Sequence, residues 1–192
     1  LNFNNQNLSI DVSLHIGSFL AVIIYFKNDI FNFIKNRDIA LKIIISSIPI
    51  IIVGYILVKL DLIDKLRNIK TIGWATIIFG VLLYYSDKFE NNNKIDKNFN
   101  YKSVLFIGLI QILSLIPGVS RSGIAITAAR FLKFKRVDSA KISFLISIPT
   151  LAAVSFFGLS NLINSNNFDF SLLNLISIIS SFLFSFITIK YF

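Results

Sequence analysis

The sequence has 192 residues, of which 55% are hydrophobic and 15% are charged, with a formal net charge of +9 at pH 7. An ordinary soluble domain has about a quarter of its residues charged, so this composition excludes a soluble globular protein and indicates a chain solvated by lipid. The sequence has no cysteine and a single histidine, which excludes a disulfide framework, a thiolate metal site and zinc chemistry.

Long apolar blocks account for most of the hydrophobic residues. A bilayer core about 30 Å thick requires about 20 mainly apolar residues of α-helix. The blocks close to this length are residues 10–26, 43–58, 71–85, 142–160 and 171–191. The sequence therefore predicts an all-α, polytopic membrane protein with about five transmembrane helices.

The basic residues are concentrated between the apolar blocks. Residues 27–42, 59–70 and 86–102 contain four Lys or Arg each, and residues 130–141 contain five. This distribution is typical of membrane flanks. Nucleic-acid binding requires a basic stripe with interleaved aromatic residues, so we expect no nucleic-acid partner. Residues 161–170 contain no Lys or Arg, and the positive-inside rule predicts that this loop faces outward and that 130–141 face the cytoplasm.

Residues 103–134 are apolar but interrupted. One apolar helix is predicted before Pro117-Gly118 and a second from Gly123 onward. Each arm of about 12 to 14 residues is too short to cross a bilayer comfortably. We therefore expect a re-entrant helical hairpin, whose non-helical tip is buried in protein or lines a watery cavity.

The polar loop around residues 91–102 separates two halves of the chain. The predicted organisation is a single integral membrane domain of residues 1–192, with first-half helices in 8–90, a polar connecting loop in 91–102, the re-entrant hairpin in 103–134 and second-half helices in 142–192. Pro49 and Pro149 each follow Ser-Ile inside an apolar block. This echo is consistent with the inverted repeats of membrane folds.

The tip of the predicted hairpin contains a charged residue at membrane depth, where a charge is energetically unfavourable. Arg121 lies between the two apolar arms, and an intramembrane arginine costs several kcal/mol. The nearby residues supply hydroxyls and glycines but no carboxylate: Ser120, Ser122, Thr127, Gly118 and Gly123. This combination at a helix start is suited to anionic oxygens, with phosphate the natural ligand. The alternative is a plain turn whose arginine extends to the headgroups, but the nearest flanking charges, Lys102 and Arg130, are at least nine residues away.

The run from Gln111 to Gly123 closely resembles a known signature. Its last seven residues, Pro-Gly-Val-Ser-Arg-Ser-Gly, match the Pro-Gly-x-Ser-Arg-Ser-Gly motif of the undecaprenyl-diphosphate phosphatases, bacterial enzymes associated with bacitracin resistance. Residues 11–26 resemble the first full span of that family, and residues 143–151 resemble the span after the motif. The resemblance extends over most of the chain.

The resemblance implies hydrolysis of undecaprenyl diphosphate to undecaprenyl phosphate and inorganic phosphate in the bacterial inner membrane, which recycles the lipid carrier of cell-wall synthesis. Carried over to this sequence, Ser120 and Arg121 are the catalytic residues that grip the diphosphate. The residues that bind the substrate or shape its loop are Gly118, Ser122, Gly123 and Thr127. The implied partners are an isoprenoid diphosphate lipid and the bilayer, and a homo-oligomer is compatible with the sequence.

The sequence departs from the family pattern in two places. The family has a threonine shortly after the arginine, where this chain has Ala125, and the nearest hydroxyl is that of Thr127. Family members also carry a Glu-x-x-x-Glu motif, with a Ser and a His, in a re-entrant segment that would lie ahead of Leu8. That motif is thought to handle a divalent metal ion, Mg²⁺ or Ca²⁺, and the only glutamate here is Glu90 in the polar loop. We therefore expect no metal ligand in this chain and no activity from these 192 residues alone. We further expect the acidic motif upstream and one more hydrophobic segment downstream.

His15 is the only histidine and lies one helical turn from Asp11. A polar residue inside a span is a functional hypothesis by default. Because this block resembles a non-catalytic part of the family, we expect His15 to face the interior of the helix bundle without a catalytic role.

Two rival functions fit the same residues. A broken helix whose N-terminus faces an anion is also a device of transporters, so a transporter or flippase for an anionic lipid is the first alternative. The missing glutamates leave a second alternative, a non-catalytic fragment of the phosphatase.

Overall fold

The computed structural model describes residues 8–28, 30–31, 37–60, 62, 66–89, 92–164 and 172–191. The helices are α1 (Leu8–Tyr25), α2 (Arg37–Lys59), α3 (Ile69–Asp87), α4 (Ile95–Asn98), α5 (Tyr101–Gln111), α6 (Arg121–Phe131), α7 (Arg136–Asn164) and α8 (Leu172–Tyr191). A 3₁₀ turn over Ile112–Leu115 continues α5. Within the described residues the only β-type pairing is an isolated bridge between Asn93 and Phe134, so the all-α prediction is confirmed.

Four of the described helices are long and apolar enough to cross a membrane. They are α2, α3, α7 over Arg136–Ser160, and α8. The apolar part of α1, Ser9–Tyr25, is shorter, as is the segment Tyr101–Leu115. Each of the five blocks predicted as a span overlaps one described helix, and four of these five helices are of spanning length, which confirms a polytopic membrane protein.

Asparagine side chains define where two of these helices begin. The Asn68 side chain accepts a hydrogen bond from the backbone N–H of Thr71 at 2.9 Å, which starts α3. The Asn100 side chain accepts from the N–H of Ser103 at 2.9 Å, which starts α5. A side-chain oxygen at this position satisfies one of the four N–H groups that a helix leaves unpaired at its start.

The chain divides into two compact units. One unit contains α1, α8 and the part of α7 from Ile148 onward, and the other contains the chain from Asn36 to Ser147. The predicted outward loop of residues 161–170 falls mostly outside the described residues. The backbone of residues 161–164 is helical and extends α7.

Small residues pack the helices of the first unit. A Cβ atom on Gly17 of α1 would lie 2.9 Å from the Cβ of Ser181 in α8. The hydroxyls of Ser18 and Ser181 are 2.9 Å apart. On α7, Gly158 leaves room for the side chain of Val12, because a Cβ atom there would lie 2.5 Å from a Val12 methyl carbon. Helices in lipid depend on such close approach and on interhelical hydrogen bonds, since lipid provides no hydrophobic drive between them.

The second unit uses the same chemistry. A Cβ atom on Gly108 of α5 would lie 2.5 Å from the carbonyl oxygen of Ser46 in α2, so α5 crosses α2 at backbone contact distance. The Ser47 hydroxyl donates to the carbonyl of Ile146 in α7 at 3.1 Å. The first contact places the arm that leads to the predicted tip against a spanning helix, and the second joins that spanning helix to α7.

In this second unit a buried arginine links two chain segments through hydrogen bonds to their backbone carbonyls. Arg130 donates to the backbone carbonyls of Phe134, Asp87 and Phe89 at 2.8 to 3.0 Å. The Asn93 backbone N–H donates to the carbonyl of Lys133 at 2.9 Å. These bonds tie the segment after α3 to the turn between α6 and α7, so the far end of α6 is held in place.

Candidate active site at the hairpin tip

The break in the predicted hairpin is a β-turn. The backbone N–H of Val119 donates to the carbonyl of Ile116 at 3.1 Å, and Gly118 has φ +97°. Pro117 and Gly118 are therefore the two central residues of a type II turn, which requires a positive φ at its second central position. Glycine adopts that conformation without a steric cost. The sequence prediction of a break at Pro117-Gly118 is confirmed.

Ser120 starts the second arm. Its side chain accepts the backbone N–H of Gly123 at 3.2 Å, and its carbonyl accepts the N–H of Ile124 at 2.9 Å. This N-cap makes Arg121 the first residue of α6, so the helix begins two residues earlier than the predicted start at Gly123. A short polar side chain that accepts from the third helical N–H is a favoured cap.

The groups at the tip are arranged to receive an anion. Gly118, Ser120 and Ser122 are exposed, and Arg121 is half-buried between the two serines along the chain. The Ser120 and Ser122 hydroxyl oxygens are 3.3 Å apart. Arg121 and the two serines therefore lie at the N-terminal end of α6, where backbone N–H groups and the helix dipole favour negative charge. The tip brings together all but one of the residues predicted for the site.

The exception is Thr127. It is buried, and its hydroxyl donates to the carbonyl of Gly123 at 2.8 Å within α6. Ala125 is also buried. A role for Thr127 in substrate binding stays a prediction, and in the structure its hydroxyl lies one helical turn below the exposed groups of the tip.

Two hydroxyls outside the signature contact the tip, and sequence reasoning did not single them out. The Thr76 hydroxyl in α3 donates to the carbonyl of Gly118 at 3.1 Å. The Ser143 hydroxyl in α7 donates to the carbonyl of Ser122 at 3.2 Å. Single Ser and Thr residues are common in membrane helices, so nothing in the sequence marks these two.

The described residues contain no group of three or more His, Cys, Asp or Glu side chains that could hold a metal ion. In the unit that contains the tip, the Asp38 carboxylate accepts hydrogen bonds from the side chains of Lys42 and Tyr101. Asp87 pairs with the exposed guanidinium of Arg136 at 2.5 Å. The tip itself offers a cation and hydroxyls, a donor set that fits an anion and does not fit Mg²⁺ or Ca²⁺, which take several carboxylate or carbonyl oxygens.

The remaining ionisable residues considered from the sequence lie elsewhere. Asp11 and His15 are on α1, in the first unit. Glu90 falls outside the described residues. The non-catalytic role expected for His15 stays a prediction.

Together the apolar helices and the broken, capped hairpin define a polytopic membrane protein whose hairpin tip contains an arginine and two serines at a helix start. The chain belongs to the family described as bacitracin resistance protein BacA, whose match covers residues 1–192. This confirms the resemblance seen in the signature. Family membership and the membrane-length helices make it a multi-pass protein of the bacterial inner membrane.

Curated relatives are similar over most of this chain. An undecaprenyl-diphosphatase of Pelagibacter ubique (strain HTCC1062) is 50% identical over 191 residues, which cover 99% of this chain and 74% of the relative. The undecaprenyl-diphosphatase of Roseobacter denitrificans is 40% identical, over 78% of this chain and 61% of the relative. The undecaprenyl-diphosphatase of Jannaschia sp. is 38% identical, over 82% of this chain and 64% of the relative. The chain thus spans about three fifths to three quarters of these relatives.

Proposed function

We propose that this chain forms part of an enzyme that hydrolyses undecaprenyl diphosphate to undecaprenyl phosphate and inorganic phosphate. The observation that carries the proposal is the tip, where Arg121 is the first residue of α6 between the exposed hydroxyls of Ser120 and Ser122. The names of the relatives and the family match support the substrate. A membrane-embedded diphosphate headgroup is the ligand that this arrangement suits best.

Each group at the tip has a defined task in this proposal. Hydrolysis adds water to the terminal phosphorus and breaks its bond to the bridging oxygen, which leaves with undecaprenyl phosphate. Negative charge grows on the bridging oxygen as that bond breaks. Arg121 holds two phosphate oxygens with its planar fork, and the N–H groups at the start of α6 add fixed positive charge. Preorganised donors of this kind supply a large share of catalysis in phosphoryl transfer.

A divalent metal ion, Mg²⁺ or Ca²⁺, is implied by the family resemblance, and its ligands are expected outside this chain. The described residues do not fit such an ion, so the steps above assign none to it. Assembly into a homo-oligomer also stays a prediction. Neither changes the task of Arg121 at the tip.

The central test is Arg121→Lys in the protein encoded by the complete gene. Lysine keeps the charge but cannot bind two phosphate oxygens with a rigid fork. We expect kcat/KM for phosphate release from undecaprenyl diphosphate to fall by about 100-fold or more, with kcat affected as well as KM. Expression and melting temperature should match those of the parent.

The control is Arg136→Lys, because Arg136 is an exposed arginine that pairs with Asp87 on the surface. We expect this variant to keep near-parental kinetics. Near-parental kinetics in Arg121→Lys would instead mean that Arg121 only extends to the headgroups. A parent that moves the lipid diphosphate across vesicles without releasing phosphate would favour the transporter alternative.

A further inference from the structure

The exposed part of the tip is held between two hydrogen-bonded carbonyls. The segment from Gly118 to Ser122 contains Arg121. The first and the last carbonyl of this segment each accept a hydrogen bond from a hydroxyl of a different helix. Thr76 of α3 donates to the Gly118 carbonyl at 3.1 Å. Ser143 of α7 donates to the Ser122 carbonyl at 3.2 Å. We call these two hydroxyls the bracket.

On the α3 side, the bracket adds to a close backbone contact. A Cβ atom on Gly118 would lie 2.5 Å from the carbonyl oxygen of Ile72. Thr76 follows Ile72 by one helical turn and also donates to the Ile72 carbonyl at 2.8 Å. A hydroxyl has one proton, so Thr76 shares it between the Ile72 and Gly118 carbonyls. One turn of α3 therefore limits how closely Gly118 can approach that helix, through Ile72, and orients the Gly118 carbonyl, through Thr76.

On the α7 side, the bracket acts on the first turn of α6. Ser143 is 3% exposed, and the carbonyl that it binds belongs to the second residue of that helix. Arg121 is the residue immediately before Ser122. A bond to the Ser122 carbonyl therefore limits rotation of the turn from which the guanidinium extends.

We propose that Thr76 and Ser143 are positioning residues for Arg121, acting through the Gly118 and Ser122 carbonyls. The inference rests on the proposed function. A site that grips a diphosphate must hold its groups to within about 0.5 Å, and a misplacement of about 1 Å costs up to about 100-fold in rate. Neither hydroxyl donates to the substrate in this account, because each proton is used on a backbone carbonyl.

The experiment compares Thr76→Val, Thr76→Ser and Ser143→Ala in the protein from the complete gene. Valine has the shape of threonine without the hydroxyl, whereas serine keeps it. We expect Thr76→Val and Ser143→Ala to lower kcat/KM for phosphate release by about tenfold each, at a melting temperature close to that of the parent. Thr76→Ser should restore parental kinetics to within about twofold.

Matched controls remove a hydroxyl that bonds within its own helix. Thr188 is exposed like Thr76 and donates to the Phe184 carbonyl at 2.8 Å. Ser86 is buried like Ser143 and donates to the Leu83 carbonyl at 2.8 Å. Thr188→Val and Ser86→Ala should leave kcat/KM within about twofold of the parent.

A double variant tests whether the bracket acts through the arginine. In the Arg121→Lys background, which lacks the planar guanidinium, adding Thr76→Val should lower kcat/KM by much less than the tenfold expected in the parent. Full additivity would overturn the positioning role. So would parental kinetics in both Thr76→Val and Ser143→Ala, or an equal loss in Thr76→Ser and Thr76→Val.

A second readout separates this inference from the proposed function. The dissociation constant for undecaprenyl diphosphate is measured without turnover for the parent and for each variant. If the parent binds the lipid but releases no phosphate, the proposed hydrolysis fails, and weaker binding by Thr76→Val and Ser143→Ala still supports the bracket. If the parent neither binds nor hydrolyses the lipid, both proposals are overturned.

Discussion

Pro117 and Pro149 both lie in apolar segments, but the chain responds to them in opposite ways. At Pro117 the helical arm ends, the backbone turns through Gly118 at φ +97°, and a new helix begins after Ser120. At Pro149 the helix does not end, and α7 continues to Asn164. Pro49 behaves like Pro149, because it lies inside α2.

The difference teaches that proline alone does not decide the break. A proline inside a helix removes one N–H donor and costs about 3 kcal/mol, yet neighbouring helices can supply a replacement donor. At Pro149 the carbonyl that loses its helical donor is that of Leu145, and the next carbonyl, that of Ile146, accepts the Ser47 hydroxyl of α2 at 3.1 Å, so a polar group of a neighbouring helix contacts this turn. At Pro117 the next residue is a glycine in the left-handed region, and a serine cap follows, so a new helix start is available at once.

The largest effect is expected for Gly118→Ala, which tests the turn itself. Alanine at φ +97° is strained, and its Cβ would lie 2.5 Å from the Ile72 carbonyl oxygen. We expect a loss of at least about 2 kcal/mol of stability and of nearly all activity. Thermal unfolding in detergent and phosphate release measure the two effects.

Gly73→Ala and Gly80→Ala are the matched controls on α3. A Cβ atom on either glycine would meet nothing within 4 Å. Both variants should be neutral or slightly more stable, because alanine favours helix over glycine by about 1 kcal/mol. A Gly118→Ala variant as stable as these would show that the turn tolerates another conformation.

An intermediate effect is expected at Ser120, where a cap and a catalytic role can be separated. Ser120→Ala removes the cap on Gly123 and should cost about 1 kcal/mol. Ser120→Asn keeps a capping oxygen and should keep the melting temperature. If the Ser120 hydroxyl grips the diphosphate, Ser120→Asn still loses about tenfold or more in kcat/KM. Parental kinetics in Ser120→Asn would reduce Ser120 to a helix cap.

The smallest effect is expected for Pro149→Ala. The helix already passes through this position, and alanine restores an N–H donor there. We expect the melting temperature to stay the same or rise slightly, with phosphate release unchanged. Pro117→Ala is the contrasting variant and should reduce activity, since it loosens the φ of the turn. Equal outcomes at the two prolines would remove the distinction between them.

The sequence by itself determined the class of protein and the place of the break. Apolar length predicts a helix in each of the five blocks, and Pro117-Gly118 predicts a break followed by a second helix, although that helix begins at Arg121, two residues before the predicted Gly123. These features depend on residues that are adjacent along the chain. For the same reason, the charged and hydroxylated groups of the signature could be assigned to one site before the fold was known.

Only the tertiary structure decided what holds that site in place. The approach of Gly118 to Ile72, and the donation from Thr76 and Ser143 to its two ends, join residues that are far apart along the chain. The burial of Thr127, whose hydroxyl bonds to the Gly123 carbonyl within α6, could not be predicted from the sequence either. A serine or threonine in an apolar helix can bond within its own helix or across to another, and the choice depends on which helices pack together and at which residue they cross.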